Sequence, residues 1–396
     1  MDFITTASNM ANHAAKILLV LKYPSRWNEL LIRTLCQRFE ICHAYSDVQI
    51  KDFGLESVIT NMTKKIIDEN ISIVIIDQEF FSLFHAGGIK AIAEYAKVGL
   101  IFFDDCHNHY INRQNSCHAD FVIVGPDPLE KLRYETYGIT ALSCALENNL
   151  VVPEHRQIAP GSPRPIDVFF AGYAHKPGRR EFLSALKNSG IKMLSHETET
   201  HGSVSYDELY TMMGTSKIVL NFSRTDNAGP AAYALGYREP AVFQFKGRII
   251  EAGLCGACCI SEYFPTISIM GFDRAVQTFE TSEQMVSIVK KLLNTGEWKA
   301  NARKLREIVR NNFNANDFLT KLAKITTSPR KRPERRISIG IDSNYSQNVT
   351  NRILKFNYSD PALAEKDLKF FYSFLKNTKY ENIVYRTGNN CYPFNI

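Results

Sequence analysis

Apolar positions in the first 150 residues fall into short unbroken runs separated by longer amphipathic segments. KILLVLKY (16–23), FEICHAY (39–45), ISIVIID (71–77), GLIFFDD (99–105) and ADFVIVG (119–125) have the length and the β-branched or aromatic content of strands. Runs without polar alternation belong to strands covered on both faces, as in a parallel sheet. A helix is expected from near Ser25, and positions 55–69 and 84–97 carry apolar residues at helical spacing. Strand–helix alternation of this kind predicts an α/β layer with helices on both faces.

Pro153, Pro160, Pro163 and Pro165 interrupt the pattern, as a linker does. A second series follows. Asp167–Ala171 reads as a strand ending at Gly172, with a helix from about Arg179 to Ser189 closed by Gly190. Asp207 opens a short helix, Lys217–Phe222 is the next strand, and 274–279 another before helical patterns from 282 to about 325. The expected organisation is an N-terminal Rossmann-like domain (1–155), a linker (156–165), a C-terminal Rossmann-like domain (166–328) and a basic linker with a helical extension (329–396). Two such domains place a cleft between the carboxyl ends of their sheets, where open α/β folds bind ligands. In the extension, Asp360 and Pro361 suit a cap and first turn, and Ala364, Leu368, Phe371 and Leu375 recur at helical spacing. A helix packing back on the body is expected.

At 396 residues, with 45% hydrophobic and 22% charged residues, the chain suits a two-domain globular protein. Its net charge of +6 is too small to point to nucleic acid. Much of that charge sits in Arg330-Lys-Arg-Pro-Glu-Arg-Arg336, which reads as a solvated linker, with peripheral contact to the inner face of a membrane as the alternative. No apolar run reaches the length of a membrane span, and the first fifteen residues lack the basic start and apolar core of a signal peptide. A cytoplasmic chain with reduced cysteines is therefore expected. The first strand turn, Lys22-Tyr-Pro-Ser25, contains no glycine, so the N-terminal domain is a poor candidate for NAD or FAD.

The chemistry concentrates in Lys246-Gly-Arg-Ile-Ile-Glu251. A helix starting near Arg248 and stopping at Gly256 would bring Lys246 and Arg248 to its positive end, an arrangement that favours an anion between them. Gly247 leaves the backbone open to close approach. Glu251, one turn further, suits the hydroxyls of a ribose or sugar. The alternative is that both cations are surface residues and Glu251 merely offsets the helix dipole.

QFKGRIIEAGLCGACCISE (244–262) resembles the Q-x-K-G-R-x-x-E-x-x-x-x-G signature of GT-B glycosyltransferases, in the spore-maturation-type or glycosyltransferase-family-1-like branch. Phe170-Ala-Gly172 followed by Arg179, Arg180, Phe182 and Leu183 is similar to that branch's F-x-G…R-x-x-F-L opening, and Ser216–Ser223 to its S-K-I-x-L-N-x-S strand. The resemblance covers about 165–325 well, 119–150 loosely, and 330–396 not at all. It implies a GT-B architecture with two Rossmann-like domains and a nucleotide-sugar donor held by the second. Lys246 and Arg248 would hold the diphosphate and Glu251 the ribose, as the second glutamate of an E-x7-E motif of retaining enzymes. The first glutamate of that motif would fall at Phe243 and is missing. Gly172 would line the donor loop, Arg179 or Arg180 reach a phosphate, and Asn221 and Ser223 face the donor sugar. No D-x-D motif occurs, so metal-independent transfer without a cofactor is expected, to a glycan, lipid-linked glycan or protein acceptor. A sugar-nucleotide-binding protein without turnover, and a nucleotide-sugar epimerase on the same fold, are the alternatives.

On the acceptor side, Asp104-Asp-Cys-His-Asn-His109 follows an apolar run and is expected at a strand's carboxyl edge. For inverting transfer Asp105 is the first choice of base and His107 the second. For retaining transfer the departing phosphate takes the proton and Asp105 only orients the acceptor. With Cys117 and His118 the cluster has zinc-type ligands, but the spacing matches no common paired pattern and no metal is expected. Cys255, Cys258 and Cys259 are expected in the core, because neighbours on a strand point to opposite faces.

Overall fold

The computed structural model describes residues 15–78, 84, 86–103, 105–176, 178–224, 243–329, 343–375, 385–387 and 390–392. Strands β1 (Lys16–Leu21), β2 (Glu40–Tyr45), β3 (Ile73–Asp77), β4 (Lys97–Phe102), β5 (Phe121–Val124) and β6 (Thr140–Ser143) form one parallel sheet in the order β2-β1-β3-β4-β5-β6. Strands β7 (Ile166–Gly172), β8 (Met193–Glu197), β9 (Ser216–Asn221), β10 (Cys258–Glu262) and β11 (Gln277–Phe279) form a second parallel sheet, ordered β11-β10-β9-β7-β8. The unbroken apolar runs have a direct cause. In β1, Leu18 and Val20 enter the core on one face while Ile17, Leu19 and Leu21 enter that on the other.

Strands β6 and β8 were not expected from the pattern. β6 is a four-residue TALS segment, and every residue of β8 is only half-buried at a sheet edge. The helical spacing at 84–97 resolves into a helix Ala86–Ile92, with Lys97 already in β4. The helix expected from Asp207 is Tyr206–Gly214. Ser205 caps it and exchanges hydrogen bonds with Glu208 in a capping box.

The linker is anchored by Arg164. Its buried guanidinium donates to the carbonyls of Gly214 and Gly256 at 2.7 Å each, and to those of Ser216, Met213 and Cys255 at 3.0–3.2 Å. Gly256 has φ 69°, and a Cβ built there would stand 2.1 Å from the Ile158 oxygen. Only glycine lets the linker pass so close. Cys258 and Cys259 enter separate cores on opposite faces of β10, and burial pushes the Cys258 thiol up to about 12. Such thiols stay protonated and serve as packing.

Helix Ser282–Thr295 and helix Trp298–Asn312 cover the second sheet, while helix Ala315–Thr327 crosses back to place Phe318, Leu319 and Leu322 in the first domain's core. Lys97 caps that helix's last turn, donating to the Ile325 carbonyl at 2.7 Å. Helices Ser343–Lys355 and Pro361–Leu375 bury Val349, Ile353, Leu368 and Phe371 against the first domain. The buried Asp367 accepts hydrogen bonds from the Leu55 N–H at 2.7 and 2.8 Å and from the Tyr358 hydroxyl at 2.6 Å. It thereby caps helix Leu55–Asp68 from outside. The basic run 330–336 lies outside the described residues.

Candidate active site

The carboxyl ends of β7, β8 and β9 and the turn before helix Arg248–Leu254 enclose a cavity of about 560 Å³. Gly172, Arg179, Asn221, Lys246, Arg248 and Glu251 all line it, and the first domain contributes Trp27. Gly172 ends β7 at φ 138°, a backbone state that residues with a Cβ rarely adopt. Helix Arg248–Leu254 is held by Ile249, Ala252 and Leu254, all buried in one core, which fixes Glu251 on its cavity side.

With seven residues this helix is too short for its N-terminus to act as an anion site, which leaves the side-chain charges of Lys246 and Arg248. Lys246 is half-buried and its Nζ donates to Gln244 Oε1. The Arg248 Nε lies 3.7 Å from Glu251 Oε2, and its buried Nη1 has no hydrogen-bond partner among the described residues. A buried guanidinium N–H without an acceptor is costly, and an anionic ligand relieves that cost. Glu251 itself is buried at 6% exposure.

The other expected donor residues divide. Arg179 lines the cavity, yet its Nη2 donates to the Arg224 carbonyl at 2.7 Å and its Nη1 to Tyr173 at 3.2 Å. Its guanidinium braces the loop as well as facing the cavity. Asn221 lines the cavity and donates to Ser261 Oγ at 2.8 Å. Ser223 is turned inward to Ser261 and the Glu262 carbonyl, and Arg180 is exposed on its helix, so neither belongs to the described lining. Residues 225–242, which join these elements, lie outside the described residues.

Three contributions were not foreseen. Trp27, from the first domain, lines the cavity while 38% exposed, where large aromatic surface is usually covered. Arg26, in helix Arg26–Leu35 of the first domain, lays its guanidinium over the ring of Tyr206 at 3.8 Å, joining the two domains beside the cavity. Burial, then the Glu251 carboxylate, raises the Tyr206 phenol above its ordinary value, so it remains a neutral donor. Lys176 adds a further cation to the lining. An exposed aromatic after the first strand was visible in the sequence, but its position across the cleft was not.

Two solved structures are similar to this chain over 80% of its length. The Anabaena protein HepE, in complex with UDP and glucose, is 12% identical, covers 80% of this chain and all of its own, and superposes with a TM-score of 0.50. A glycosyltransferase from Rickettsia africae is 14% identical over 80% of this chain and 98% of its own, with a TM-score of 0.48. The HepE likeness speaks for the fold. No match is found among the curated proteins. Residues 177–324 match the family described as glycosyl transferase-like. The chain has a GT-B fold, and residues 177–324 of it are similar to that family.

A second cavity, about 250 Å³, lies between the domains and shares Trp27, Gly247 and Glu251 with the first. Residues 105–109 follow the carboxyl end of β4, where this polar segment was expected. A helix Asp105–Ser116 starts there, directly after β4. The side chains of Asp105 and His107 lie outside the described residues. Among the described residues no three His, Cys, Asp or Glu side chains gather as a metal site, and no helix is long and apolar enough to cross a membrane.

Proposed function

We propose that the 560 Å³ cavity holds a nucleoside diphosphate sugar and that the enzyme transfers its sugar to a hydroxyl presented from the first domain. One observation carries this reading: Lys246, Arg248, Glu251 and Gly172 converge on one cavity at the carboxyl ends of a parallel sheet. In this reading Lys246 and Arg248 take the diphosphate, and the Arg248 Nη1, without a partner among the described residues, gains an acceptor. Glu251 accepts from the ribose hydroxyls, and the apolar end near Val204, Tyr206 and Leu209 takes the base. Asn221 faces the sugar, while Arg179 and Gly172 shape the loop over the phosphates.

As the bond from the anomeric carbon to the phosphate breaks, negative charge grows on the leaving diphosphate. Fixed cations in a partly desolvated cavity stabilise that charge without reorganisation. This supports metal-independent transfer with no cofactor. Asp105 and His107 enter as the acceptor-side base candidates of an inverting reaction. Retention, which the E-x7-E resemblance favours, leaves the proton to the departing phosphate. A UDP donor is the first to try, given the UDP and glucose seen in HepE.

The test is incubation with UDP-, GDP-, CMP- and TDP-sugars, with and without EDTA, following nucleotide release and the anomeric configuration of the product. Release that survives EDTA supports the reading. Absence of both binding and release for every donor overturns it, and an epimerised nucleotide sugar without transfer replaces it with the epimerase reading.

A further inference from the structure

We infer that the 250 Å³ interdomain cavity takes an aromatic ring of the acceptor, so that the acceptor is an aryl alcohol rather than a free sugar. The inference rests on the donor reading for its reaction step, but its binding claim stands on the cavity itself. The described lining is mostly apolar, with Phe103, Leu146, Phe245, Ile250 and Phe313 around the exposed ring of Trp27. Its polar side chains are Cys144, Asn148, Gln244 and Glu251, and the last two are engaged. Gln244 accepts from Lys246 and donates to the Phe103 carbonyl at 3.4 Å, and Glu251 faces Arg248. A hexose has a hydroxyl on almost every carbon, and each one buried without a partner costs about 1–3 kcal/mol. A flat aromatic ring makes no such demand and gains by stacking on tryptophan. Size agrees, since a cavity of about 150 Å³ accepts benzene and this one is larger.

The two cavities meet at Trp27, Gly247 and Glu251, so a hydroxyl on the ring's edge reaches the donor side. Its oxygen bonds to the anomeric carbon, the bond from that carbon to the diphosphate oxygen breaks with its electron pair leaving on the diphosphate, and the hydroxyl proton passes to that diphosphate. An aryl hydroxyl gives up its proton more readily than a sugar hydroxyl, which suits a site where the departing phosphate accepts it.

Calorimetry with 2-naphthol and with methyl glucoside on the full chain, each with and without UDP, tests this. Ala145→Phe is the diagnostic variant, because Ala145 lines this cavity and not the larger one. Naphthol is expected to bind and the glucoside not, with Ala145→Phe weakening naphthol about tenfold or more. UDP affinity should stay within about twofold of the parent. If the variant fails to fold by its thermal midpoint, Leu146→Asn replaces it with the same expectation. Glucoside binding in preference to naphthol, or naphthol binding untouched by both variants, overturns the inference while leaving the donor reading in place. Naphthol binding without any nucleotide binding upholds the cavity's ligand class and instead removes the donor reading.

Discussion

The Arg26 guanidinium lies 3.8 Å from the ring centroid of Tyr206, and its Nη2 donates to the Val151 carbonyl at 2.7 Å. The first domain thus grips a wall of the second domain's cavity through a cation on an aromatic face. Arg26→Ala is expected to cost about 1–2 kcal/mol of stability and to weaken nucleotide binding several-fold, as the Tyr206 wall loosens. Thermal melts and calorimetry on the same sample check both effects. Lost stability with unchanged nucleotide affinity would confine Arg26 to domain packing.

Glu251→Gln keeps the side chain's size and removes its charge. If the carboxylate accepts from ribose hydroxyls, the parent should prefer UDP over 2′-deoxy-UDP, and the variant should lose much of that preference, worth about 1–2 kcal/mol. Competition binding of the two nucleotides measures the ratio directly. An unaltered ratio would show that Glu251 serves only to hold Arg248, 3.7 Å away.

Asp367 makes the C-terminal extension part of the first domain's fold. Asp367→Ala removes two acceptors from the Leu55 N–H and the Tyr358 hydroxyl and should cost about 2–4 kcal/mol. Burial raises the Asp367 carboxyl above its ordinary value. In the folded state it therefore holds its proton to higher pH than in the unfolded state, and stability falls as pH rises through the folded pKa. Asp367→Asn cannot titrate. The stability of the parent relative to Asp367→Asn should decline as pH rises from about 4, the unfolded carboxyl value, toward neutrality. Urea melts across that range supply the comparison, and a flat difference would contradict the burial argument.

Gly256→Ala should be among the most damaging single-methyl changes in the second domain. It combines φ 69° with a Cβ placed 2.1 Å from the Ile158 oxygen, so the linker itself must move. A loss of about 2 kcal/mol or more is expected in thermal or urea unfolding. A cost below about 0.5 kcal/mol would mean that the linker passes elsewhere.

Much of this molecule was readable before its coordinates. The buried strands β1, β3, β4 and β5 are apolar runs because both faces of the sheet are covered. The edge strand β8, MLSHE, has no such demand and left no mark. Within the site, the order Lys246-Gly-Arg248…Glu251 is local, so one short helix was enough to anticipate that these side chains share a wall. The inward turn of Ser223 and the outward turn of Arg180 depend on strand register and helix phase, which composition does not express. Arg26, Trp27 and Arg164 act across the cleft or along the linker, at sequence separations where no local pattern survives.

Titration of UDP into the parent protein and into the Lys246→Ala, Arg248→Ala double variant addresses the donor site most directly. Two charge-assisted contacts to a diphosphate are worth about 3–6 kcal/mol together, so the double variant should lose at least about a hundredfold in affinity. Its thermal midpoint should fall only slightly, by no more than the loosened Arg248–Glu251 contact allows. Parent-like UDP affinity in a folded double variant would contradict the assignment of this cavity to the donor.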